Sequence, residues 1–135
     1  MRAISNFESR PCKIRFDLLN WIGFETTEKE TADMIQVIAT IELKTGCRED
    51  FLSRLNENVP RVKAEDGCLA YDPFVDIDSG LPVQGDIRPN VVTLVEAWSS
   101  ADALHAHLKT PHMAAYRDAV KDMVINVRIR VLKPI

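Results

Sequence analysis

All three histidines of the chain fall in one short stretch, Leu104-His105-Ala106-His107-Leu108-Lys109-Thr110-Pro111-His112. Imidazole is the side chain best suited to moving a proton near neutral pH, so this stretch is the first place to look for acid–base chemistry. On a regular helix residues i and i+2 point about 200° apart, so His105 and His107 cannot ligate one ion and no metal site is expected. His107 follows Leu104 by three and Ala103 by four, which puts it on their inward face, as a core residue or as a catalyst. His112 comes directly after Pro111 in the first turn of a restarted helix, free to act as a base or hydrogen-bond partner, or simply exposed. Upstream, Glu96 interrupts the apolar run Val91-Val92-Thr93-Leu94-Val95-Glu96-Ala97-Trp98. A carboxylate there is either solvated on an edge or buried with a partner. Buried, it can orient an imidazole or transfer a proton itself. Trp98 leaves the strand on the same side as Glu96. Tyr71 offers a phenol donor, and Tyr116 another, although tyrosines more often fill a core. The cysteines have no neighbouring His–Asp arrangement that would make a thiol nucleophile. No glycine-rich phosphate loop, dinucleotide fingerprint or haem-attachment motif is present, so no cofactor is expected.

Hydrophobic periodicity supplies the elements that must carry these residues. Ile35, Val37, Ala39, Ile41 and Leu43 alternate with more polar neighbours and predict a strand that Gly46 ends. Phe51, Leu52, Leu55, Val59 and Val62 then form a helical stripe, which Pro60 is expected to kink or split. Gly67 suits the left-handed position that closes such a helix. Cys68 to Ile77 predicts a second strand, with Pro73 pointing to an edge or a bulge. Asp78 to Asn90, with Gly80, Pro82, Gly85 and Pro89, is the longest loop and a candidate to reshape a cavity mouth. Val91 to Trp98 is the third strand. Ser99 or Ser100 caps a helix over Ala101 to Leu108, and Thr110-Pro111 restarts one with the stripe Met113, Tyr116, Val120 and Met123. In the last strand Ile125, Val127, Ile129 and Val131 share one face.

From Met34 onward the order is β-α-β-β-α-β, the pattern of an α+β ferredoxin-like sandwich with two helices on one face of a four-stranded antiparallel sheet. Ile38, Val92 and Leu94 are expected on the opposite face, and an apolar sheet face of that kind invites a second copy, hence a homodimer. The chain thus divides into an N-terminal extension, residues 1–33, and a domain, residues 34–135. The apolar residues of the extension, from Ile14 to Phe24, are expected to dock on the domain or its partner, with Glu25 to Asp33 as linker.

At 135 residues, 46% hydrophobic and 27% charged, the chain is long enough for a single buried core. Seventeen basic and twenty acidic residues leave a net charge of −3, which offers no footprint for nucleic acid or an anionic membrane. No apolar run approaches the ~20 residues of a membrane helix, and no apolar leader follows Arg2. Three cysteines without paired spacing fit free thiols in a reduced, cytoplasmic compartment.

With Gly67-Cys68-Leu69-Ala70-Tyr71-Asp72 before it, the E-x-W of Glu96–Trp98 followed by the H-x-x-T-P-H of His107–His112 resembles the antibiotic biosynthesis monooxygenase (ABM) domain family. The resemblance covers about Met34 to Leu132. It implies a dimeric α/β barrel built from two sheets face to face. Each subunit would hold a cavity lined by residues such as Tyr71, Glu96, Trp98, His107 and His112. It implies a cofactor-independent monooxygenase that uses O₂ as co-substrate on a small quinol- or anthrone-like aromatic. His112 or His107 would be the base and Glu96 would orient it, while Trp98, Tyr71 and Tyr116 would bind substrate. The haem-degrading branch of the family uses Asn, Trp and His at positions that are Ala39, His107 and Arg117 here, so haem degradation is disfavoured. An isomerase branch acting on a phosphorylated signal molecule shares a similar H-x-x-T-P-H stretch and gives an alternative function. A ligand-binding barrel without turnover is a third.

Overall fold

The computed structural model describes residues 33–135. The expected docking of Ile14 to Phe24 and the linker from Glu25 through Ala32 lie outside the described residues. Four strands, β1 (Ile35–Leu43), β2 (Cys68–Phe74), β3 (Val91–Trp98) and β4 (Val124–Leu132), form one antiparallel sheet in the order β2-β3-β1-β4. Helix α1 (Arg48–Lys63) joins β1 to β2, and helices α2 (Ala101–Leu108) and α3 (Pro111–Val120) join β3 to β4. The fold is therefore α+β and ferredoxin-like, with the second crossover split into two helices.

Register decides which side chains meet the helices. Val37 lies opposite Glu96 on β3 and Val131 on β4, and Glu96 lies opposite Tyr71 on β2. Directly paired residues share a face, so this row and the rows of Ala39 and Ile41 all face the helices. Val92 and Leu94 belong to those rows and are buried beneath the helices, contrary to the expectation that they lie on the opposite face. A strand apolar on both faces does not reveal which one is covered, and only the pairing with β1 settles it. Ile38 does lie on the outer face, with Phe74 and Leu132, and all three are exposed. At the start of β4 a register shift pairs Leu43 with Val124 in place of Ile125. Val124 then packs against the core and Ile125 is exposed, where alternation alone groups Ile125 with the inward residues.

Helix α1 buries Phe51, Leu55, Asn58 and Val62, and its acidic first turn and basic last turn complement the helix dipole. It runs unbroken through Pro60, against expectation. Pro60 lies in the last turn, where the one donor it lacks is the main loss, and Ala64 still donates to its carbonyl at 3.2 Å. The second strand stops at Phe74 rather than Ile77, and its irregularity falls between Cys68 and Ala70 rather than at Pro73, which is tolerated because β2 is an edge strand.

One turn brings the functional elements together. Gly67 has φ +83°, and a Cβ there would lie 2.6 Å from Ser99 Oγ and 2.7 Å from Ala103 Cβ. Only glycine permits both the left-handed backbone and this approach. The Gly67 carbonyl accepts from Ser99 N–H at 2.8 Å, tying the end of α1 to the start of α2.

Candidate active site

Helix α2 begins where Ser100 Oγ accepts from Ala103 N–H at 3.1 Å. Its turns carry His107 inward, where it is 3% exposed, and leave His105 exposed, as the spacing requires. Thr110 joins α2 to α3: its hydroxyl donates to the His107 carbonyl at 2.9 Å and accepts from Met113 N–H at the start of α3. Pro111 in the first turn fixes the entry angle, and His112 follows it. His107 and His112 thereby converge on one carboxylate, that of Glu65 in the turn two residues before Gly67.

His107 Nδ1 lies 2.7 Å from Glu65 Oε2, and His112 Nε2 lies 2.5 Å from Glu65 Oε1. A carboxylate only accepts, so each ring nitrogen that faces it carries the proton. His107 is thus held with its proton on Nδ1 and a lone pair on Nε2. That Nε2 has no hydrogen-bond partner among the described residues, and His107 lines the free space between the sheet and the helices. Trp98 lies against one side of the ring, centroids 4.7 Å apart, and Tyr71 meets it edge-on at 5.6 Å.

The free space is a cavity of about 610 Å³ between the sheet and the helices. Such a volume holds a molecule of one or a few rings. Its walls are mainly apolar, with Leu94, Phe51 and Met113 among them, and Tyr71, Tyr116, Glu96 and His107 supply polar groups. The lining also includes exposed residues: Arg117 and Lys121 at α3, Leu108 and His105 on α2, and Val127, Ile129 and Val131 on β4. The cavity opens along that side.

Burial pushes the His107 pKa down, with the bond to Glu65 acting the other way. The ring therefore stays neutral, as a base must, at pH values where an ordinary imidazole is already charging. Burial also raises the pKa of Glu96, opposed by the hydrogen bond that Trp98 Nε1–H donates to Glu96 Oε2 at 2.8 Å. Tyr71 and Tyr116 are pushed well above the usual phenol range, first by burial and then by Glu96, so both remain donors.

Several expectations are corrected by this geometry. Glu96 does not orient a histidine: it lies opposite Tyr71 on the sheet and is bonded to Trp98, whereas Glu65 holds both imidazoles. Neither His112 nor Trp98 lines the cavity. His112 lies across Glu65 from His107, and Trp98 is fully buried behind the His107 ring. None of Asp78 to Asn90 lines the cavity either, because Asp76 accepts from Arg88 at both carboxylate oxygens, 2.9 Å each, and pins the loop elsewhere. Glu65 itself goes unnoticed in the sequence, where the only sign of it is a carboxylate in the turn just ahead of Gly67. Among the described residues no group of three His, Cys, Asp or Glu is placed to hold a metal ion, and no helix is long and apolar enough to cross a membrane.

A ferredoxin-like domain with a cavity between sheet and helices, and an E-x-W and H-x-x-T-P-H around it, defines the class. Residues 34–119 match the family described as antibiotic biosynthesis monooxygenase, and the chain belongs to it. Over 103 residues it is 41% identical to a protein of Escherichia coli K12 named probable quinol monooxygenase YgiN, covering 75% of this chain and 98% of that one. Among solved structures it resembles PA3566 of Pseudomonas aeruginosa, with TM-score 0.65 and 26% identity over 78% of this chain and 97% of that one. Rv0793 of Mycobacterium tuberculosis gives TM-score 0.63 and 27% identity, over 76% and 96%. Monooxygenase activity is what the family and the E. coli relative support.

Proposed function

We propose that the protein is a monooxygenase of quinol-like aromatics that uses O₂ without a bound cofactor, with His107 as its base. The observation that carries this reading is the Glu65–His107 pair at the wall of a mainly apolar cavity, bonded through Nδ1 and with Nε2 unpartnered among the described residues. A flat phenol in that space gives its proton to Nε2, and the imidazolium formed is stabilised by the Glu65 carboxylate. The phenolate reduces O₂ by one electron, and the radical pair recombines to a hydroperoxide on a ring carbon. Loss of that carbon's proton and cleavage of the O–O bond then leave a ring carbonyl and water. Tyr71 and Tyr116, both kept protonated, donate to the substrate oxygens, and Glu96 fixes Trp98 behind the base.

The test is dissolved-oxygen uptake by the purified protein with a panel of quinols and anthrones. Uptake above the spontaneous rate is expected, falling roughly 10²–10⁴-fold in His107→Ala, the usual loss for a general base. Uptake unchanged in that variant removes His107 from the mechanism, and none across the panel turns attention to isomerase or binding roles. The reading extends to assembly as a homodimer through the outer sheet face, supported by exposed Ile38, Phe74 and Leu132. Sedimentation equilibrium of the wild type against Phe74→Glu reports on it, and a monomeric wild type would refute it.

A further inference from the structure

The charges around the cavity are not evenly placed. Both carboxylates close to the base are already engaged: Glu65 by two histidines, and Glu96, 6% exposed, by Trp98. An anionic group pushed to the inner end would meet Glu96 and the phenols of Tyr71 and Tyr116. At the open side the charged residues are basic. Lys121 Nζ is matched by Asp118 Oδ1 at 2.9 Å, four residues along from Arg117. Arg117 has no carboxylate within salt-bridge distance among the described residues. One of its N–H groups donates to the Leu108 carbonyl at 3.0 Å, which anchors the guanidinium at the end of α2. A guanidinium has five donors in a planar fork, so among the described residues most of its capacity is unspent, on a side chain that lines the cavity.

We propose that the substrate carries an anionic substituent on its ring, a carboxylate in the simplest case, which Arg117 receives at the cavity opening while the ring reaches inward to His107. The inference rests on the proposed function for the identity of the ring as a phenol, but its own content is a binding preference. Arg117 is then a specificity-determining residue. It holds the substrate with the acidic end outward and the phenol at the base, because the opposite orientation would set two carboxylates against each other.

Anaerobic calorimetric titration with 2,5-dihydroxybenzoate and with its methyl ester tests this without turnover. The acid is expected to bind roughly tenfold tighter than the ester at low salt, since the pair is partly solvated, and added salt should narrow the gap. In Arg117→Gln the acid-to-ester ratio should collapse towards one, and Arg117→Lys, which keeps the charge but not the fork, should recover part of it. Equal binding of acid and ester, failure of both to bind, or a ratio unchanged in Arg117→Gln overturns the proposal. Tight binding of the acid with no oxygen uptake would instead refute the proposed reaction and leave the anion preference standing.

Discussion

Replacing Glu65 by Gln separates the role of the carboxylate from that of the cavity. Glu65 accepts one hydrogen bond at each oxygen, from His107 at 2.7 Å and from His112 at 2.5 Å. A Gln side chain has one accepting oxygen and one donating nitrogen, so it satisfies only one histidine in its present tautomer. If the amide nitrogen faces His107, the ring must move its proton to Nε2, and the base becomes a donor aimed into the cavity. Even with the oxygen facing His107, the imidazolium loses its charged partner. Hydrogen bonds to charged groups contribute about 1.5–3 kcal/mol, so kcat should fall roughly 10- to 150-fold. The pH dependence carries the sharper signature. Burial depresses the His107 pKa and Glu65 raises it, so the acid limb of kcat/KM in the wild type lies below the ordinary imidazole value of 6.5. Removing Glu65 should move that limb to still lower pH while lowering the plateau. The assay is oxygen uptake from mildly acidic to mildly alkaline pH, with thermal unfolding of each variant as the check on folding. A plateau within about twofold of wild type, or a limb displaced upward, refutes the assignment of Glu65 as the positioning residue.

Other substitutions probe the elements that hold this site. Gly67→Ala must accept a left-handed backbone and a Cβ 2.6 Å from Ser99 Oγ, and should destabilise by about 2–4 kcal/mol in urea unfolding; a neutral result would mean that the α1–β2 turn moves freely. Trp98→Phe removes the Nε1–H donor to Glu96, whose folded pKa is already raised, so the stability tied to its protonated form is present below 4.5 and lost as pH rises through the folded value. The loss in Trp98→Phe should therefore be smaller in acid, below that value, than in mild alkali, by unfolding under both conditions; the reverse order would refute the assignment. Thr110→Ala removes the α3 cap and its bond to the His107 carbonyl, and should cost about 1 kcal/mol with a lowered kcat. Loss of stability with kcat unchanged would show that the α2–α3 joint does not position the base.

Much of the scaffold is written in local pattern. The alternation from Ile35 to Leu43, the Ser100 and Thr110 caps, Pro111 in the first turn of α3 and the inward turn of His107 each follow from a few neighbouring residues, and each is found in place. Spacing on one helix separates His105 from His107 without reference to anything else. What local pattern leaves open is pairing between distant segments. Strand β3 is apolar on both faces, so only its register with β1 puts Val92 and Leu94 under the helices. Glu65 and His107 are 42 residues apart, and nothing about a carboxylate in a turn announces an imidazole partner. Gly67 announces a turn, but only tertiary contact with Ser99 and Ala103 makes that turn bring Glu65 to both histidines. Residue types and their local spacing define the kinds of chemistry available and the elements that carry them. Tertiary structure chose Glu65 over Glu96 as the histidines' partner and His107 over His112 as the group facing the cavity, because burial and hydrogen bonding depend on which surfaces meet, and that is a property of the whole fold.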